Sequence, residues 1–140
     1  MMIRMIAIAV LGLLLFAAPT PASAGNTATA ASPARISVPV PQAARSANVA
    51  MLELSVRTRG TGNLGGVVRL SGGGNAVEVG RFSAGGAGDQ RFQFNVTLAL
   101  RHLDLSGGTA TLEVALIDRA GGAAPGGASL VIGSARIIAR

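Results

Sequence analysis

Residues Arg91 to Arg119 read RFQFNVTLALRHLDLSGGTATLEVALIDR, and they carry two different periodicities. Phe92, Phe94 and Val96 alternate with Arg91, Gln93 and Asn95, which is the period of a half-buried strand. Leu112, Val114 and Leu116 repeat that pattern against Thr111, Glu113 and Ala115. Between the two, Leu98, Leu100 and Leu103 are too closely set for one strand face. They predict a short helical turn over Thr97–Leu103, ended by Asp104, Ser106, Gly107 and Gly108. The unit is therefore strand, helical turn, strand, and it holds two of the chain's four aromatic residues. The core is expected to close around Phe92 and Phe94.

The same alternation recurs upstream. Leu52, Leu54 and Val56 alternate with Met51, Glu53, Ser55 and Arg57; Val68 and Leu70 form a second run; Val77, Val79 and Phe82 form a third. Gly80 marks a bulge or a close approach of another group to the backbone. Downstream, Gly121–Gly127 reads as a loose hairpin connection. Leu130 and Ile132 begin a last run that Gly133 and Ser134 interrupt and Ile137 and Ile138 complete. Six to seven short strands separated by glycine-rich turns predict an all-β fold, an antiparallel β-sandwich over residues 49–140.

Residues 25–48 are rich in Ala, Ser, Thr and Pro and read as a linker, with at most one edge strand near Arg35–Val40. Residues 1–24 have the layout of a secretory signal: Arg4, an apolar run over Met5–Ala18, and Ala22-Ser23-Ala24 before Gly25. The apolar run is shorter than the roughly 20 residues a membrane span needs. The expectation is cleavage, a periplasmic or secreted protein and no stable membrane insertion thereafter. Removing 24 of 140 residues leaves 116, enough for one core.

Composition excludes several chemistries. The chain has no cysteine, so thiol catalysis, thiolate zinc and iron–sulfur clusters are out. All 12 basic residues are arginines, set against 6 acids and spread along the chain with few aromatics, which argues against nucleic acid and for charged strand faces and edges. His102 is the single imidazole. Its neighbours Asp104 and Ser106 do not make a triad merely by being near in sequence. Glu53, Glu78 and Glu113 lie in the polar phase of separate strands, where solvation explains them better than acid–base work. Met51 and His102 are too few for a full copper set, although a small copper-handling protein is the alternative reading. Gly60, Gly62 and Gly65 match GxGxxG, but a strand rather than a helix follows them. No catalytic, metal-binding or cofactor-binding residue is assigned, and no cofactor is expected.

Three segments carry a family resemblance: VEVGRFSAGG (Val77–Gly86), RFQFNVTLALRHLDLSGGTATLEVALIDRAGG (Arg91–Gly122) and SLVIGSARI (Ser129–Ile137). Over about Val49–Ile138 the chain resembles the C-terminal β-sandwich domain of tyrosinases and polyphenol oxidases. In that family the domain shields a separate, histidine-rich copper domain, for which nothing here corresponds. The resemblance implies a non-enzymatic module that binds or shields a partner protein such as a copper oxidase.

Overall fold

A computed structural model describes residues 25–60, 63–86, 88–105, 107–118 and 120–140. The leader expected at residues 1–24 lies outside the described residues, as do Gly62 and Ser106. Among the described residues eight strands form: β1 (Thr27–Thr29), β2 (Ala34–Pro39), β3 (Ala50–Arg59), β4 (Leu64–Gly72), β5 (Asn75–Ala84), β6 (Gln90–Asn95), β7 (Thr109–Asp118) and β8 (Ser129–Ala139). Two short helices, α1 (Gln42–Arg45) and α2 (Thr97–His102), join them.

The strands make two antiparallel four-stranded sheets, β1-β8-β3-β6 and β2-β7-β4-β5, packed face to face as a β-sandwich. The interior is apolar, with Leu52, Leu54, Leu70, Leu112, Val114 and Leu130 all at 1% exposure or less. Period-2 alternation explains this placement: β3 and β7 bury every second side chain along most of their length. The helical turn appears as α2, with Leu100 buried and Leu103 buried just beyond it. Leu98, by contrast, is 65% exposed, because the segment turns at helical rather than strand pitch.

Three expectations need correcting. Phe92 and Phe94 are only half-buried, because β6 is the outermost strand of its sheet; the centre belongs to the leucines and valines of the inner strands. Gly121–Gly127 does not close a hairpin, since β7 and β8 belong to different sheets and this connection crosses between them. Finally, the segment read as a linker supplies β1 and α1 besides β2, the one edge strand expected near Arg35–Val40. Its edge positions are held by β1 pairing with β8 and β2 pairing with β7, and its small buried residues Ala28 and Ala34 give little apolar signal in sequence.

Two β-bulges let runs of the wrong parity serve the same core. In β8, Ser134 pairs with Ser55 while Ile132 pairs with Val56, leaving Gly133 as the extra residue. Leu130 and Ile132 before it, and Ala135 and Ile137 after it, thereby all face inward. In β5, Glu78 pairs with Arg69 and Gly80 with Val68, leaving Val79 extra, so that both Val77 and Phe82 pack on the core.

The aromatic residues occupy glycine-sized spaces. Phe82 is the cross-strand partner of Gly66, and a methyl group added there would meet its ring at 2.4 Å. Phe94 reaches across from the other sheet to Gly80, where an added methyl would again fall at 2.4 Å. The rings of Phe82 and Phe92 stack with centroids 4.6 Å apart. This cluster closes the flank where β5 lies over β6.

Candidate functional site

The residues weighed for chemistry do not come together. His102 is exposed at the end of α2. Met51 lies half-buried on β3, paired with Asn95 and Ile138. Among the described residues no three His, Asp or Glu side chains gather as a metal site requires.

The three glutamates are distributed over the outer faces of the sandwich, each held by arginine. Glu53, on the first sheet, accepts a hydrogen bond from Arg136 at 2.7 Å and another from Gln93 at 3.1 Å, and Arg140 lies 3.7 Å away. Glu113, on the second sheet, takes Arg35 at 2.9 Å and Arg69 at 3.6 Å. Glu78 pairs with Arg81 at 3.1 Å. Cross-strand register explains two of these groups, since Glu53 stands opposite Gln93 and Arg136, and Glu113 opposite Arg35 and Arg69.

The hydrogen bond from Arg136, helped by the charges of Arg136 and Arg140 and the hydrogen bond from Gln93, holds the Glu53 carboxyl below its ordinary value, although desolvation opposes it more than either charge alone favours it. The hydrogen bond from Arg81 does the same for Glu78, and Glu78 in turn raises Arg81. General acid catalysis wants a raised carboxyl pKa, so these groups are tuned the other way.

Of the glycines in this motif, Gly60 has φ +113° and Gly65 lies within β4, and among the described residues β5 rather than a helix follows β4. Phosphate cradling by a helix N-terminus therefore has no counterpart there.

What the fold does concentrate is surface at one flank. β5 and β6 are the outer strands of their sheets, each paired on one side only, and they face one another across the sandwich. Near the loop that joins them, the Gln90 side-chain amide donates to the Gly85 carbonyl and accepts from the Gly85 N–H. Further along, Val77, Val79, Phe92 and Phe94 remain half-buried between the sheets.

No protein-family model, curated protein or solved structure matches the chain. The geometry stands alone. Among the described residues no helix is long and apolar enough to cross a membrane.

The outer face of the first sheet holds an arrangement that sequence reasoning did not single out. Arg91, Ser55 and Ser134 are successive cross-strand neighbours on β6, β3 and β8. They border a shallow depression of about 300 Å³, with Glu53 and Arg136 on its other side. Each residue lies in the polar phase of its own strand, but only the pairing register aligns them.

Proposed function

We propose that this chain is an exported, non-enzymatic β-sandwich module that binds or shields a partner protein, such as a separately encoded copper oxidase. The observation that carries the reading is the unpaired flank of β5 and β6, where hydrogen-bonding strand edges run beside half-buried valine and phenylalanine side chains. An exposed edge of this kind accepts an extended segment of another protein as an added strand, with pockets for alternate side chains giving selectivity. The resemblance of Val49–Ile138 to the shielding domain of tyrosinases supports the same role, and names the partner class.

The test is crosslinking in the exported fraction, followed by mass-spectrometric identification. The expected result is one stoichiometric partner, a histidine-rich oxidase lacking a sandwich domain, with crosslinks mapping to β5 and β6. Recovery of no stoichiometric partner overturns the proposal.

A further inference from the structure

The first sheet's outer face is laid out in rows. In one row Gln93, Glu53 and Arg136 satisfy one another. A neighbouring pair, Arg57 and Asp89, is likewise closed at 3.1 Å. Between them lies the row Arg91–Ser55–Ser134, in which, among the described residues, neither the guanidinium nor either hydroxyl has a side-chain hydrogen bond or ion pair. Both carboxylates next to Arg91 on this face are taken, so its charge is uncompensated.

We infer that the Arg91–Ser55–Ser134 row is a binding site for a single carboxylate, an Asp or Glu side chain presented by the partner protein. The inference rests on the partner-binding reading and names the chemistry by which the partner is held.

Charge narrows the ligand. Glu53 is shared between Arg136 at 2.7 Å and Arg140 at 3.7 Å, so among the described residues Arg91 is the one cation lining the depression with no carboxylate partner, which suits an anion of low charge. The Glu53 carboxylate lines the same depression and repels a phosphate dianion more than a carboxylate monoanion. Shape agrees. The guanidinium presents parallel N–H donors that fit a planar carboxylate, and neighbouring serine hydroxyls supply further donors without further charge. A depression of about 300 Å³ is at the small end of ligand sites, suited to a side chain rather than a large metabolite. The β-bulge at Gly133 sits beside Ser134, where it bends β8 next to the depression.

The experiment uses amide-shift NMR on the chain with three probes: a doubly blocked hexaglutamate peptide, inorganic phosphate and a doubly blocked hexaglutamine peptide. Hexaglutamate is expected to give saturable shifts at Ser55, Arg91 and Ser134, weakened about tenfold or more in Arg91→Gln. Arg81→Gln, on the other sheet, is expected to leave them unchanged. Ser55→Ala gives a milder second variant, expected to weaken the same shifts. The inference is overturned if the shifts spread evenly over all arginines, if Arg91→Gln binds like the parent, if hexaglutamine binds equally, or if phosphate binds more tightly at the same residues. Failure here separates from failure of the partner reading. Equal recovery of the crosslinked partner by Arg91→Gln removes this site and leaves partner binding intact. A saturating, Arg91-dependent response in a chain that captures no partner supports the site while the partner reading falls.

Discussion

Gly66→Ala should destabilise the fold through Phe82, and the size of the effect follows from the packing. The added methyl would lie 2.4 Å from Phe82 Cζ, 2.5 Å from Cε1 and 3.1 Å from Cε2. Carbon contacts are comfortable at about 3.5–4.0 Å, so the ring must retreat by about 1 Å. It has little room: Phe82 is 8% exposed and Phe92 stacks on it at 4.6 Å. Overpacking of this kind costs about 1–3 kcal/mol. Gly66 is not at positive φ, so alanine also restricts the unfolded chain and returns about 0.4–1 kcal/mol. The net expectation is a loss of about 1–2 kcal/mol, or roughly 3–8 °C in melting temperature for a domain of this size. With no Trp or Tyr for fluorescence, urea unfolding followed by circular dichroism is the suitable assay. The decisive comparison repeats the substitution in a Phe82→Leu background, which lacks the Cζ and Cε atoms that clash. There Gly66→Ala should be neutral or stabilising, giving a coupling well above the ~0.5 kcal/mol typical of independent sites. Equal losses in both backgrounds would refute the reasoning.

Other perturbations probe the remaining features. Gly80→Ala drives a methyl to 2.4 Å from Phe94 Cδ1, but that ring is half-buried at the flank and has room to swing. The loss should be about 1 kcal/mol, near the low end for overpacking, by the same urea assay. Thr97→Val keeps the shape but removes the hydroxyl that accepts the N–H of buried Ala50 at 2.9 Å; a loss of about 1–3 kcal/mol is expected in denaturant unfolding. The Glu53 and Glu78 pKa values are lowered by folding, so the stability they contribute is present above their ordinary value of 4.5 and is lost as pH falls through the lower folded values. Melting temperature should therefore decline on acidification below that value, less steeply in Glu53→Gln, and a rise on acidification would contradict this. Leu98→Gln, at a position 65% exposed, should change thermal stability by no more than about 0.5 kcal/mol.

The parts of the fold legible in sequence are those where burial alternates strictly, namely β3, β6 and β7, together with the period change that makes α2. The two bulged strands were harder to read, because their apolar runs change parity midway. The odd spacings from Val77 to Phe82 and from Ile132 to Ile137 were the available signal. β1 was not legible as a sheet member, because threonine and alanine fill it and long-range pairing with β8 holds it in place, whereas Ile36 and Val38 mark β2 as the edge strand expected near Arg35–Val40. The carboxylate site was least accessible of all. Arg91, Ser55 and Ser134 each look like an ordinary solvated position, and they become neighbours only through the register of three strands far apart in the chain. The aromatic residues teach a related point. Phe92 and Phe94 signal apolar content strongly in sequence, yet edge position, which sequence does not reveal, leaves them half-buried.

The account depends above all on β6 having a free edge. Backbone amide hydrogen exchange, resolved residue by residue, measures this directly. β3, bonded to β6 on one side and β8 on the other, should be protected at successive residues through Met51–Val56, whereas β6 should alternate between slow and fast amides over Gln90–Asn95. Uniform protection along β6 in the isolated chain would mean that its outer edge is already covered, and would contradict the claim.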